Sequence, residues 1–326
     1  MIRQIALLLA ALVACAAPAQ RPAVEVPPSH TKASPLFENL SPAAATALAD
    51  GGVAIERDRS APRRLAEHRR LTDALASMEP QRSGTVDAYV VAIALDSDPN
   101  FSREAREAGR VLARRYGAEG RTLVLAGPDA RGGAALPMGS PQAMDIALAR
   151  VAEVMDVRED VLILYTTSHG AQLGLVYNDG DQGFGAISPA RLWTVLTQLG
   201  IGNRMLLLSA CYSGVFVPML QSDTSIIVTA ASADRTSFGC QADADWTFFG
   251  DALINQAMRK AQPMPAAAAE AQRLIAGWER KGKLEPSNPQ VAIGAGAQRW
   301  LAAIEARVPK TASAPVGRPA ITLLDP

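Results

Sequence analysis

Two stretches of the sequence decide the fold: residues 161–170 read VLILYTTSHG, and residues 205–214 read MLLLSACYSG. Each begins with an almost unbroken apolar run of strand length and ends in a polar turn that contains glycine. Strands that are apolar at every position are typical of parallel sheets covered by helices on both faces. The two stretches therefore predict buried strands of an α/β sheet.

The same alternation of strands and helices continues on both sides of these stretches. Further apolar runs predict strands over residues 89–95, 122–125 and 226–229. Between the strands, apolar residues recur at helical spacing. The predicted helices cover residues 103–116, 144–155, 189–199, 248–258 and about 264–281. Buried strands separated by helices predict the α/β class, with a mostly parallel central sheet that carries helices on both faces.

The polar ends of the two deciding strands carry residues that are suited to nucleophilic catalysis. His169 follows the first strand and Cys211 follows the second, and functional residues of open α/β sheets lie beyond the carboxyl ends of strands. If the strands are neighbours, the imidazole can take the proton of the thiol. The Gly170 amide, which no Cβ shields, is suited to bind an oxyanion. Two other interpretations stay open: an inert buried Cys211 thiol, or a disulfide between Cys211 and Cys240.

The composition excludes several classes of function. The 326 residues include 32 Lys and Arg against 32 Asp and Glu, so the chain lacks the net field that draws proteins to nucleic acid. The three histidines and three cysteines form none of the closely spaced pairs that a zinc site needs. We therefore expect no metal, no cofactor and no nucleic-acid partner.

The N-terminus has the anatomy of a secretory signal. Arg3 precedes a wholly apolar run over residues 5–13, which is too short to span a bilayer because a spanning helix needs roughly 20 residues. Residues 12–15 read LVAC and resemble the bacterial lipobox, whereas residues 17–19 read APA and suit an ordinary signal peptidase. We expect a membrane anchor through lipidated Cys15 on the periplasmic side of the bacterial envelope, at the outer rather than the inner membrane. The alternative is a soluble periplasmic or secreted protein.

Composition also divides the chain into five parts. Arginines are frequent over residues 57–70, and we interpret this run as a solvated helix face. The expected parts are a lipoprotein signal peptide over residues 1–15, an Ala/Pro-rich tether over 16–35, a helical N-terminal extension over 36–80, an α/β domain over 84–308 and a Pro-rich tail over 309–326.

Short blocks of the sequence resemble the legumain-like cysteine peptidases, which are relatives of the caspases. The blocks are YTTSHG at residues 165–170, SACYSG at 209–214, TAASADRTSFGC at 229–240 and FGD at 249–251. They follow the order of the family, and the resemblance covers about residues 85–260. It implies a caspase-like three-layer α/β/α sandwich and a peptidase domain over residues 84–308.

The resemblance implies a role for each matching residue. Cys211 would be the nucleophile, His169 the general acid and base, and the amides of Gly170 and Cys211 the oxyanion hole. The activity would be that of a cysteine endopeptidase acting on peptide or protein substrates through an acyl-enzyme, which an amine could also resolve in a transpeptidase. Two alternatives are an esterase that uses the same pair, and a non-catalytic envelope scaffold with a Cys211–Cys240 disulfide.

The resemblance also points to an S1 pocket, the site for the substrate side chain before the cleaved bond. The candidate S1 residues are Arg103, Ser209, Thr236, Ser237 and Asp251. Arg103 and Asp251 would form a pair that reads a carboxamide or a charged side chain. Two positions depart from the family, because Ser209 replaces an acidic residue and Glu104 stands where a histidine often follows the arginine.

Overall fold

The computed structural model describes residues 34–129 and 133–325. The expected signal peptide with Cys15, and the tether up to residue 33, lie outside these described residues. Within the described part of the chain, no helix is long and apolar enough to cross a membrane.

The described elements alternate between strands and helices along most of the chain. The strands are β1 (Ala54–Glu56), β2 (Ala88–Ala94), β3 (Thr122–Leu125), β4 (Val161–Thr167), β5 (Gly170–Ala171), β6 (Gly174–Asn178), β7 (Gly183–Ile187), β8 (Arg204–Ser209), β9 (Ser225–Thr229) and β10 (Val291–Ile293). The α-helices are α1 (Pro42–Asp50), α2 (Ala61–Ala76), α3 (Pro99–Tyr116), α4 (Pro141–Val154), α5 (Pro189–Gln198), α6 (Val217–Leu220), α7 (Met264–Gly282) and α8 (Ala297–Glu305). Two 3₁₀ turns cover Ser213–Phe216 and Ala320–Leu324, and a π-helical segment covers Gly250–Ala257.

Local sequence explains where several of the helices begin. Ser60, Ser140 and Ser188 each cap a helix by accepting a hydrogen bond from the amide three residues later, as N-cap serines do. A proline stands in the first turn of each of these helices, where its missing N–H has no partner to lose. These capped helices return the chain from one strand end to the start of the next.

The central sheet has six strands in the order β10-β9-β8-β4-β2-β3. Five of them run parallel, and β10 pairs with β9 in the antiparallel direction. The five parallel strands are those that the apolar runs predict, so this prediction is confirmed. The sequence analysis missed β10 and the second sheet, which has the order β1-β7-β6-β5.

Helices cover both faces of the central sheet and make three layers. Val90 and Ala92 of β2 pack into one core together with α3, α7 and α8. Tyr89 and Val91, which alternate with them, pack into a second core with α4 and α5. Since successive strand residues point to opposite faces, an apolar strand supplies both cores at once. The predicted three-layer α/β/α sandwich with a mostly parallel sheet is confirmed.

The N-terminal extension contains a strand as well as helices, and it joins the α/β region. β1 pairs with β7, and two of the arginines near it are buried. Arg59 and Arg63 both reach the Asp179 carboxylate, with nitrogen–oxygen distances of 2.6 and 3.5 Å. The prediction of a solvated arginine face is therefore wrong for these two residues, because their charges are matched by an acidic residue more than one hundred positions away.

Candidate active site

The two deciding strands are neighbours in the sheet. β4 and β8 pair in parallel with Thr167 opposite Ser209, and the Ser168 amide donates to the Ser209 carbonyl at 3.1 Å. His169 and Cys211 each follow this last pair by two residues, so they leave the sheet side by side. The condition set by the sequence analysis, that the strands before His169 and Cys211 are neighbours, is met.

The Cys211 thiol lies in surroundings that favour its anionic form. Its Sγ accepts a hydrogen bond from the Ser237 amide at 3.3 Å and lies 3.7 Å from the Ser237 hydroxyl. The pKa of Cys211 is lowered to about 6, chiefly by the hydrogen bond with the Cys240 thiol and then by Ser237 and by the charge of His169, while burial opposes the shift. The thiolate is the reactive form of cysteine, and these contacts favour that form at Cys211.

Cys240 supports Cys211 and is not bonded to it covalently. Both residues are free cysteines, so the disulfide considered from the sequence is not formed in this structure. The hydrogen bond to Cys211, together with burial, raises the pKa of Cys240 well above its usual value. In this pair the Cys240 S–H is therefore the hydrogen-bond donor and the Cys211 sulfur is the acceptor.

The His169 ring is held by the start of α3. The Phe101 ring packs edge-on against it, with 5.1 Å between the ring centroids and an interplanar angle of 79°. Asn100, the residue before Phe101, is almost fully buried, and its amide nitrogen and oxygen make no hydrogen bond within the described residues. The sequence analysis did not single out Asn100. Its position at a helix start just beyond a predicted strand was the available signal.

The turn residues beside Cys211 and His169 have special backbone requirements. A Cβ added to Gly170 would overlap the Cys211 carbonyl oxygen, so only glycine allows these two segments to approach so closely. Tyr212 adopts a left-handed backbone with φ of 57°, which non-glycine residues rarely do. The Tyr212 amide donates to the Arg235 carbonyl at 2.8 Å, and this bond helps to hold the turn that presents Cys211.

The structure brings some candidate S1 residues to Cys211 but not others. Ser237 contacts the thiol directly, and the neighbouring Thr236 is exposed. Arg103 lies on α3, where its guanidinium donates to the Ala244 carbonyl and its Nε stands 3.7 Å from Asp245 Oδ1. Its acidic partner is therefore Asp245, not Asp251 as the sequence analysis expected.

Asp251 is fully buried and serves another purpose. Its carboxylate accepts hydrogen bonds from the Asn255 side chain at 2.8 Å and from the Ala320 amide at 2.7 Å. Burial raises its pKa, and these two hydrogen bonds oppose the shift. Asp251 thus binds the C-terminal tail, and the expected Arg103–Asp251 pair is absent from the described residues.

Ser209 points into the α3 layer, where it contacts a buried carboxylate that the sequence analysis did not single out as a site residue. Glu104 has no exposed surface, and its carboxylate accepts three hydrogen bonds from neutral donors. The donors are the Tyr165 hydroxyl at 2.5 Å, the Ser209 hydroxyl at 2.9 Å and the Thr247 amide at 2.8 Å. Glu104 therefore joins β4, β8 and the segment before the π-helix directly beneath His169 and Cys211.

Helical spacing was the signal that could have found Glu104. It lies four residues before Ala108 and seven before Val111, both of which face the core on α3. A charged residue on the apolar stripe of a buried helix is uncommon unless it is paired or hydrogen-bonded. The sequence analysis noted Glu104 only as a departure from the family, although its helical register already placed it on the buried face.

A thiolate beside an imidazole, at adjacent strand ends of an α/β/α sandwich, defines the site of a thiol-dependent hydrolase. Residues 139–274, which include His169, Cys211 and Cys240, match the family model described as Peptidase C13 family. This match covers the part of the chain that holds both His169 and Cys211, and it supports the resemblance to the legumain-like cysteine peptidases. A cysteine peptidase, that is, a hydrolase acting on peptide or protein substrates, is thereby supported in general terms.

Two further comparisons concern solved structures and curated proteins. Among solved structures, the chain is similar to caspase-1 from Spodoptera frugiperda at 13% sequence identity, with a TM-score of 0.42. The match covers 66% of this chain and 88% of the caspase chain. The search of curated proteins found no match.

Proposed function

We propose that the protein is a cysteine endopeptidase that cleaves peptide bonds through an acyl-enzyme on Cys211. The observation that carries the proposal is the placement of Cys211 and His169 after adjacent parallel strands, with the Ser237 amide donating to Cys211 Sγ at 3.3 Å. These surroundings lower the pKa of the thiol to about 6. A thiol with this pKa is mostly ionised at neutral pH, so attack on a carbonyl needs no prior deprotonation.

The first half of the reaction forms the acyl-enzyme. The Cys211 thiolate attacks the carbonyl carbon of the substrate, and the resulting oxyanion is bound by the amides of Gly170 and Cys211. Protonated His169 then gives its proton to the leaving amine as the C–N bond breaks. The pairing of β5 with β6 supports the Gly170 amide as a donor. The Val176 amide of β6 donates to the His169 carbonyl at 3.0 Å. Because successive backbone groups of a strand point in opposite directions, the Gly170 amide faces away from β6.

The second half releases the acyl group. Neutral His169 takes a proton from water, the water oxygen attacks the thioester carbon, and the carboxylic acid product leaves as the thiolate returns. An amine in place of water would give a transpeptidase. The buried Asn100 amide, next to the Phe101 that packs on His169, is available to orient the imidazole.

The test of this function is turnover of a peptide library by substituted proteins. We expect Cys211→Ala and His169→Ala to lose turnover, while His68→Ala, which changes an exposed histidine on α2, keeps the wild-type rate. Circular dichroism checks that all variants are folded. Turnover that survives in Cys211→Ala refutes the assignment of the nucleophile.

Product analysis separates the finer activities. Cleavage of ester substrates in preference to the matching peptides would favour the esterase interpretation over the endopeptidase. Addition of a peptide with a free N-terminus to the reaction tests transpeptidation, since a joined product with the mass of both fragments less one water forms only if an amine resolves the acyl-enzyme.

We further propose that the enzyme is anchored to the bacterial envelope through lipidated Cys15, on the periplasmic side and at the outer membrane. The support is the lipobox-like sequence LVAC at residues 12–15. Expression of the full chain and of Cys15→Ser, followed by fractionation and intact mass measurement, tests it. We expect the wild type in the membrane fraction with an added lipid mass, and the variant in the soluble periplasmic fraction without it.

A further inference from the structure

The C-terminal tail is bound along the protein surface at every second residue. The amides of Val316, Arg318 and Ala320 donate to side-chain oxygens of Asn255, Asp245 and Asp251, at 2.9, 2.8 and 2.7 Å. The tail bends at Gly317, where φ is 73°, and the bound amides lie on both sides of this bend. Three acceptor side chains from the segment after Cys240 therefore bind the tail at alternate residues.

The main chain of the tail carries most of this contact. The Val316 carbonyl accepts two hydrogen bonds, from Trp246 Nε1 at 2.8 Å and from Asn255 Nδ2 at 3.1 Å. Residues 314–319 are exposed, and Val316 keeps 43% of its surface accessible. We call residues 314–319 the strap. The buried Ala320 marks where the tail enters the core.

The sequence of the strap suits this mode of binding. Its two prolines alternate with the bound amides, since Pro315 precedes Val316 and Pro319 lies between Arg318 and Ala320. Proline has no N–H to donate, so it fits only where no amide hydrogen bond is needed. Gly317 has φ of 73° and lies so close to Asp245 that an added Cβ would come 2.9 Å from the carboxylate oxygen. The strap therefore matches its acceptors residue by residue.

Asp245 connects the strap to α3 beside the active site. Its Oδ2 accepts the Arg318 amide, and its Oδ1 lies 3.7 Å from Nε of Arg103. Arg103, Asp245, Trp246, Val316 and Gly317 line one cavity of about 490 Å³. Arg103 stands two residues after Phe101, which packs on the His169 ring. The strap thus forms one wall of a cavity whose other walls include Arg103 and Glu107 of α3, the helix whose first turn carries Phe101.

We propose that the strap is a specificity-determining element that fixes Asp245, and through it Arg103, so that this cavity can bind a substrate side chain. The inference rests on the proposed peptidase function and adds to it the contacts that lead from the strap through Asp245 to Arg103. The strap acts on substrate binding and leaves the Cys211 thiolate unchanged, because none of its hydrogen bonds involves Cys211, His169 or Ser237.

A matched pair of variants at one position tests the proposal. Arg318→Pro removes the amide that binds Asp245, whereas Arg318→Ala removes only the side chain, whose guanidinium contacts the Asp243 carbonyl. We expect Arg318→Pro to raise KM for peptide substrates about tenfold, as the loss of a charge-assisted hydrogen bond would, with kcat little changed. Arg318→Ala should stay within about twofold of wild type. Equal KM values in the two variants, or a loss confined to kcat, overturn the proposal.

Two further measurements keep the result interpretable. The rate of Cys211 alkylation by iodoacetamide should be the same in wild type and both variants, and a fall in Arg318→Pro would show damage to the active site instead of the cavity. Amide hydrogen exchange over residues 240–247 should rise in Arg318→Pro but not in Arg318→Ala. Hydrogen exchange needs no turnover, so it tests the role of the strap even if the peptidase function itself fails. Unchanged exchange in both variants would refute the proposal that the strap fixes Asp245.

Discussion

Two buried carboxylates in different regions of the molecule are stabilised in opposite ways. Asp179, in the turn between β6 and β7, is bonded by the guanidinium of Arg59 at 2.6 Å and approached by that of Arg63 at 3.5 Å. Glu104, on α3 beneath the active site, accepts hydrogen bonds only from neutral groups of Tyr165, Ser209 and Thr247 among the described residues. Both carboxylates are at least 98% buried by residue surface, since Asp179 is 2% and Glu104 0% exposed.

The difference teaches what each carboxylate does for the fold. The arginines neutralise Asp179 and tie the N-terminal extension to the β6–β7 hairpin, so this region is a structural ion pair. Glu104 lies within the α3 layer, where three hydrogen-bond donors take the place of water. Two of its three donors, Tyr165 and Ser209, lie on β4 and β8. These strands lead to His169 and Cys211, so we expect a change at Glu104 to alter the support of both strand ends.

The largest expected effect is on stability, at the Asp179 end of the comparison. Asp179→Asn leaves two buried guanidinium groups short of their carboxylate, and breaking a buried pair in this way costs about 3 kcal/mol of unfolding free energy. The turnover rate per folded molecule should not change. Urea denaturation followed by circular dichroism measures the unfolding free energy. Titration of the active site with a thiol reagent counts the folded molecules, and the turnover rate is divided by that number. Asp58→Asn, at a side chain that is 77% exposed, is the control and should alter stability little.

The next effect in size is on catalysis, at the Glu104 end. Glu104→Gln conserves shape, but the new NH₂ group must face at least one of the three donors, which leaves that donor unsatisfied. We expect kcat to fall about thirtyfold because the strand ends lose their alignment, with a smaller change in KM. Steady-state kinetics measures this, with Glu119→Gln at an exposed turn as the control. A Glu104→Gln protein that loses stability but keeps the wild-type kcat would show that Glu104, like Asp179, serves only the stability of the fold.

The third prediction concerns pH and the thiol pair. The pKa of Cys211 is lowered to about 6, and the hydrogen bond from Cys240 is the largest cause, so the alkylation rate of Cys211 should rise through pH 6 and level off above it. Cys240→Ala removes the donor, which disfavours the thiolate and moves the midpoint to higher pH by about one unit or more. Cys240→Ser keeps a donor and should shift the midpoint less. Mass spectrometry of the Cys211 peptide follows the reaction. A midpoint in Cys240→Ala equal to that of wild type would show that Cys240 does not set the thiol pKa.

Much of the fold was predictable because its strands are continuous apolar runs. These runs identified the five parallel strands, and the polar ends of β4 and β8 identified His169 and Cys211. β10 has only three residues and no distinct pattern, so nothing in the sequence separated it from a loop. The partners of Arg103 and Arg59 were not predictable either, because each ion pair joins positions more than one hundred residues apart, and only the folded chain decides which acid meets which arginine.

The smallest expected effect compares two tyrosines, one at each carboxylate. Tyr165→Phe removes a donor from Glu104 at 2.5 Å, whereas Tyr177→Phe removes the hydroxyl that contacts Arg59 and Glu56 at 2.8 and 3.0 Å. We expect Tyr165→Phe to lower kcat about fivefold, since Glu104 keeps two donors and a single neutral hydrogen bond contributes modestly. Tyr177→Phe should leave kcat unchanged and reduce the unfolding free energy by about 1 kcal/mol. Parallel kinetics and urea denaturation of the two variants measure both quantities, and a fall in kcat for Tyr177→Phe would mean that the hairpin region also controls the strand ends that carry His169 and Cys211.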